Sequence, residues 1–186
     1  MKTFIAILVS MFSVVVLHFS DGVKPQFGKS VAESIQGWVP FTSPEGRFGV
    51  HFPAPPELER KQMQLGQTGR SLEYSEYKSR ASDTLVYMAS YTYLPSRWRL
   101  ASSSTLLKGA LKVIMQNEGG MELVEERLAS FQDHPALHFV LKRGTEEVYG
   151  TLILMGKTLY QLNISCFPEV DKEVNREMFV NSFKIL

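Results

Sequence analysis

The sequence predicts an α+β domain: a central antiparallel sheet with helices packed on it. Two observations carry this expectation. Runs with period-two alternation are joined by short turns, so hairpins outnumber crossovers. Helical spacing is found in one stretch mid-chain and one near the end, giving the order strands, helix, strands, helix. That order is unlike the strict alternation of a doubly wound α/β sheet.

The first strands open at Trp38-Val-Pro-Phe-Thr42, a short extended piece. Ser43-Pro-Glu-Gly46 is a turn, because proline pre-sets φ at its second position and Gly46 can close it. Phe48-Gly-Val-His-Phe52 alternates, and Pro53, Pro55 and Pro56 end it, having no N–H to give to a ladder. Residues 57–70 are polar with two glycines and read as a long exposed connection or the distal ends of two strands. Leu72, Tyr74 and Tyr77 then share a strand. In residues 84–94, Leu85, Tyr87, Ala89, Tyr91 and Tyr93 occupy one face and Val86, Met88, Ser90 and Thr92 the other. Apolar residues on both faces place that strand inside its sheet.

The helix starts at Ser102-Ser-Ser104, where a hydroxyl can cap the first free N–H groups. Leu106, Leu107, Ala110, Leu111, Ile114 and Met115 line one face, and Gly119-Gly120 stops it. Four extended segments follow: 121–131, one around Leu137, Phe139 and Leu141, 148–155 and 158–167. Gly144-Thr145 and Gly156-Lys157 are the turns between the later ones. A last helix is expected over 169–182, with Val170, Val174, Met178 and Phe179 on one side.

Before the domain lies an address. Lys2 is a minimal positive region, residues 4–17 an apolar one, and Ser20-Asp-Gly22 a small-x-small ending. Ser10, Ser13 and His18 interrupt the run, which falls short of the ~20 apolar residues a membrane span needs. The expected organisation is a signal peptide or N-terminal anchor over 1–22, a flexible tether over 23–37 and a single domain over 38–186. The product is then exported, periplasmic or extracellular, and membrane-anchored by residues 4–20 if the leader is not cleaved. Cleavage after Gly22 removes Lys2 and Asp21 and leaves the net charge of +1 unchanged. Such balance argues against nucleic acid as a partner, since phosphate neutralisation needs clustered Lys and Arg. It also leaves the leader as the sole expected membrane contact. Cys166 is the only cysteine, so an internal disulfide is excluded, and its alternating context reads as strand core.

Residues 43–56, Ser-Pro-Glu-Gly-Arg-Phe-Gly-Val-His-Phe-Pro-Ala-Pro-Pro, resemble the opening of domains with the PsbP-like fold. That group includes the oxygen-evolving accessory protein of photosystem II, nuclear-import accessory proteins that bind the Ran GTPase, and exported bacterial proteins. Gly156-Lys-Thr-Leu-Tyr-Gln-Leu162 and Phe179-Val-Asn-Ser-Phe183 are similar to its last hairpin strand and C-terminal helix. The resemblance spans residues 38–186. It implies an α/β/α sandwich and a non-catalytic accessory role, and it marks a fold rather than a site, since no metal-binding or Ran-binding motif is matched.

Chemistry is sparsely signalled. His51 alternates on a strand opposite Phe48 and Phe52, His134 precedes Pro135 in a turn, and His138 lies four residues on. On a strand that spacing does not converge on a metal, so these read as surface or loop histidines. There is no Gly-x-Ser-x-Gly and no phosphate loop. Glu118, Glu122, Glu125, Glu126, Glu146 and Glu147 include no pair that sequence can single out as acid and base. Asn163-Ile-Ser165 matches a glycosylation sequon but sits inside an alternating strand, where a chance match is the better reading. The tyrosines have the one functional shade. Tyr87, Tyr91 and Tyr93 on one strand face, near Tyr74, Tyr77 and Trp98, are the candidate ligand or partner surface, set against the simpler role of filling the helix–sheet interface. The expectation is an exported, non-enzymatic accessory or binding module with a protein partner and no metal or cofactor. The alternative is an envelope hydrolase or other enzyme with a site built from ordinary residues.

Overall fold

A computed structural model describes residues 37–45, 47–64, 71–95, 98, 101–167 and 172–186, without the side chains of 64 and 172–175. The leader, nearly all of the tether and the start expected for the last helix lie outside these residues. The described elements run β1 (Val39–Thr42), β2 (Phe48–Phe52), β3 (Glu57–Gln64), β4 (Ser71–Ser82), β5 (Leu85–Tyr93), α1 (Ser103–Asn117), β6 (Glu122–Phe131), β7 (His134–Arg143), β8 (Glu146–Met155), β9 (Thr158–Cys166), α2 (Lys172–Ser182) and β10 (Lys184–Ile185). The class is α+β, dominated by sheet.

Seven strands form one sheet in the order β3-β4-β5-β9-β8-β7-β6, and β1-β2-β10 form a small second one. Every pairing is antiparallel. The chain leaves the middle of the large sheet at β5, passes through α1 and re-enters at the far edge as β6. Three hairpins then return it until β9 pairs with β5, Ala89 opposite Leu162. One long connection therefore lays α1 across one face, as the alternation of local and crossover links requires.

Local chemistry fixes the ends of α1. Thr105 N–H donates to the Ser102 side chain at 3.2 Å, and Glu118 N–H closes the last turn on Ile114 O at 2.9 Å. Gly119 and Gly120 follow with φ of +38° and +76°, conformations that glycine adopts without a Cβ penalty. Leu107, Ala110, Leu111 and Ile114 are buried against Leu137, Phe139, Leu141, Leu152 and Leu159. Each large side chain so covered is worth about 1.5–3 kcal/mol before chain entropy is set against it.

The opposite face is aromatic. Phe48 of β2 meets Tyr77, Tyr91, Tyr160 and Phe183 at ring centroid distances of 5.8, 6.2, 6.2 and 5.4 Å. Phe179 from α2 stands 5.5 Å from Phe52 and 5.2 Å from Tyr87. Offset and edge-on rings fill this layer without voids. Buried hydroxyls in it are satisfied: Ser182 Oγ accepts from His51 N–H at 3.1 Å and donates to Phe179 O at 2.8 Å.

Of the two readings of residues 57–70, the ends of two strands is the one the structure has: 57–64 are edge strand β3, paired with β4 from Glu57 opposite Lys78 to Gln64 opposite Ser71. Its charges suit an edge, where they discourage pairing with other chains, and so hide the apolar signal of a strand. Two other local expectations change. His134 and Pro135 belong to β7; the turn is Gln132-Asp133, both at positive φ. No Asn-Gly or Asp-Gly pair advertises that turn. The terminal residues after α2 also form β10, with Lys184 opposite Gly49. No helix among the described residues is long and apolar enough to cross a membrane.

Candidate binding groove

Strands β5 and β9 sit in the middle of the large sheet and are two-faced. Toward the aromatic layer they present Tyr87, Ala89, Tyr91, Tyr160, Leu162 and Ile164. Toward α1 the register sets Met88 beside Asn163 and Ser90 beside Gln161. Polar side chains at the centre of a sheet need either partners or a groove. Both are present.

The partnered part lies on β3 and β4. The Glu76 carboxylate is 4% exposed and accepts from Lys61 Nζ at 2.7 Å and from Lys78 Nζ at 2.6 Å. Glu59 adds contacts of 3.0 Å to Lys61 and 3.7 Å to Lys78. Burial alone would lower the Lys61 pKa, but hydrogen bonds to Glu76 and Glu59 together outweigh it and hold the group above the ordinary lysine value. Glu59 is shifted the other way, down, mainly by its hydrogen bond to Lys61. Two carboxylates and two ammonium groups thus neutralise one another along the strand pair, which a buried carboxylate requires.

Beyond the C-terminal end of α1 the helix no longer covers the sheet, and a groove of ≈ 310 Å³ opens. Val86, Met88, Val148 and Asn163 contribute to its lining from the strands, Ile114 and Glu118 from the helix end, and Lys78, Arg80 and Asp83 from β4 and the turn after it. Asn163 is 8% exposed and its Oδ1 has no hydrogen-bond partner among the described residues. An unpaired buried amide oxygen costs about 1–3 kcal/mol. Opposite Asn163 on β8 is Gly150; a Cβ there would collide with the Phe139 ring, so glycine lets that ring pack against the strand. Under the middle of the helix is a smaller, mostly apolar cavity of ≈ 30 Å³ whose lining includes Trp98, Leu72, Val113 and Gln161. Ile114 lines both spaces.

The candidate tyrosines do not form one surface. Tyr87 is 1% exposed, packed edge-on against Phe179 and against Trp38 at 5.1 Å. This corrects its placement on a partner surface: the alternation was right, but β1, β2 and α2 cover that face. Tyr91 is also buried, at 8% exposed, touching Phe48, and Tyr93 alone is open, at 49%. Arg47 lies over the Tyr93 ring, 5.6 Å from its centroid. Tyr91 and Tyr93 do help to line a hollow of ≈ 340 Å³ at the end of β3, β4 and β5, with Arg60, Glu73 and Gln62. Burial pushes Tyr87 up to about 12, the behaviour of a core phenol.

The other singled-out residues lie elsewhere. Cys166 is buried in β9, opposite Leu85 of β5, as the reading of strand core expected. His51 is on β2 with Nδ1 unpaired among the described residues. His138 is not a surface or loop residue: it is half-buried on β7, 2.9 Å from Thr151 Oγ1. Burial, followed by the Arg176 and Arg127 charges, lowers it to about 4, so it is neutral at pH 7. Among the described residues no group of three or more His, Cys, Asp or Glu could hold a metal ion. Asn163 escaped notice as a site residue because it was weighed only as a sequon; the usable signal was Gln161, Asn163 and Ser165 alternating in a strand flanked by apolar residues.

No protein-family model and no curated protein matches the chain. Solved structures do. The cyanobacterial PsbP (CyanoP) of Synechocystis sp. PCC 6803 aligns with a TM-score of 0.56, covering 80% of this chain and 92% of its own, at 9% identity. A Pseudomonas aeruginosa protein, PA94, described as a suspected regulator, aligns at a TM-score of 0.41 and 11% identity over 70% of this chain and 83% of its own. The chain has the PsbP-like fold. At such identity the likeness is one of fold alone.

Proposed function

We propose that this chain is an exported, non-enzymatic binding module of the cell envelope, and that it takes its ligand in the groove past the end of α1. One observation carries the reading: a polar residue at the centre of the sheet, Asn163, is buried without a partner for Oδ1 where the sheet is left uncovered. The Oδ1 atom itself is out of contact with the groove, so a ligand completes its hydrogen bond by drawing the Asn163 amide outward. The lining supports binding over turnover. It includes no histidine or cysteine among the described residues; of its carboxylates, Glu76 and Glu146 are held by Lys61 and Lys78 and by Arg143, while Asp83 and Glu118 make no ion pair among the described residues. Nothing there pairs a nucleophile with a base. The leader motivates export.

The test is to incubate the protein with a pool of small molecules from an envelope extract and follow both retention and conversion by mass spectrometry. Retention of an unchanged compound, lost in Asn163→Leu, is expected. Conversion of a compound by the wild-type chain would overturn the non-enzymatic reading. Fusion of residues 1–37 to a reporter active only outside the cytoplasm should yield activity; an inactive, intact fusion would refute export.

A further inference from the structure

We infer that the ligand of this groove is a small zwitterion with an aliphatic side chain, a free amino acid or dipeptide. The inference rests on the groove being a binding site and adds the chemistry of what it holds. Three features of the lining converge. Arg80, on the β4 wall, makes no ion pair among the described residues, whereas its neighbour Lys78 is committed to Glu76 at 2.6 Å. On the helix wall, Glu118 caps α1 and its carboxylate has no ion pair among the described residues; Arg143 donates only to its backbone carbonyl, at 3.3 Å. One uncommitted cation, Arg80, and two carboxylates uncommitted among the described residues, Asp83 beside it and Glu118 on the helix wall, thus face the same space. That arrangement matches a carboxylate at one end of a ligand and an ammonium at the other.

The floor between them fits the middle of such a molecule. Asn163 lines the floor with a planar amide whose Oδ1 is buried, and it matches a peptide unit with donor and acceptor once the amide turns toward the ligand. Val86, Met88 and Val148 surround it with apolar surface that an aliphatic side chain would cover. A volume of ≈ 310 Å³ sits at the small end of ligand sites, which begin at about 300 Å³. A chain with net charge +1 has no strong field to draw in a highly charged ligand, and a zwitterion needs none.

The experiment is calorimetric titration of the full chain with Leu-Leu, N-acetyl-Leu-Leu and Leu-Leu amide, with methyl NMR of Met88 and Met121 as a local reporter. Saturable binding of Leu-Leu is expected, at least tenfold weaker when either end is blocked. Arg80→Gln, a rim substitution that leaves the core intact, should erase the preference for a free carboxylate alone. Glu118→Gln should erase the preference for a free amine alone. Asn163→Leu should abolish binding while the melting temperature holds or rises. Equal binding of free and blocked forms, or no binding of any, overturns the zwitterion. If envelope-extract compounds still shift the Met88 and Met121 methyls, the zwitterion falls while the groove survives as a site; if nothing shifts them, both readings fall.

Discussion

The two faces of the large sheet are built on opposite plans from the same strands. Residues Tyr87, Ala89 and Tyr91 of β5 and Tyr160, Leu162 and Ile164 of β9 disappear under β2 and α2 in a layer of interlocking rings. One residue along, Met88, Ser90, Gln161 and Asn163 face a helix that is leucine-packed over β7 and β8 but ends before covering β4 and β5 fully. The aromatic face is closed along its length, and the helix face adds its own leucine core chiefly over β7 and β8. The helix face thus keeps polar residues in mid-sheet, where a purely structural design would place valine or isoleucine.

That contrast can be broken experimentally. The largest loss should come from the ring layer: Phe48→Ala removes the residue that touches five other rings and should cost about 3–5 kcal/mol in a denaturant melt. Leu111→Ala, in the leucine-packed half of the helix face, should cost about 2–5 kcal/mol and fall below Phe48→Ala in the same melt. A cost under half a kcal/mol for Leu111→Ala would remove α1 from the core altogether.

His138 provides a smaller, pH-dependent effect on the aromatic side. Its folded value of about 4 lies below the ordinary 6.5, so between these values the unfolded chain binds the extra proton. Stability should be full above pH 6.5 and decline as pH falls toward 4. The loss should be on the order of 1–2 kcal/mol, because a half-buried ring is partly screened by solvent. His138→Gln should flatten that part of a pH series of melts; an unchanged slope would show that the ring titrates normally. The smallest effect is expected at Tyr93, whose ring is exposed: Tyr93→Ala should change stability by less than about 0.5 kcal/mol, against several for Tyr87→Ala. Equal costs would mean that the two tyrosines are not divided between surface and core.

Much of the fold was legible. The serine cap and glycine stop of α1, the interior position of β5, the Gly156-Lys157 hairpin and the buried Cys166 all follow from patterns a few residues long. The edge strand β3 was legible only as one of two readings, because Glu57, Glu59, Arg60 and Lys61 make a protected edge look like a loop. The site was legible only as an unasked question: why a strand flanked by apolar residues should carry Gln161, Asn163 and Ser165 in alternation.

By itself the sequence determined where most helices and strands lie and that the two faces of β5 differ, since periodicity and capping act within a few residues. Only the tertiary structure decided which face is sealed. Tyr87 is in the core because residues 48–52 and 179–183, far from it along the chain, fold over it. Asn163 borders a groove because α1 ends at Asn117 and leaves its part of the sheet uncovered. Alternation says that a strand has two sides; what covers each is set by long-range packing, on which no local pattern reports.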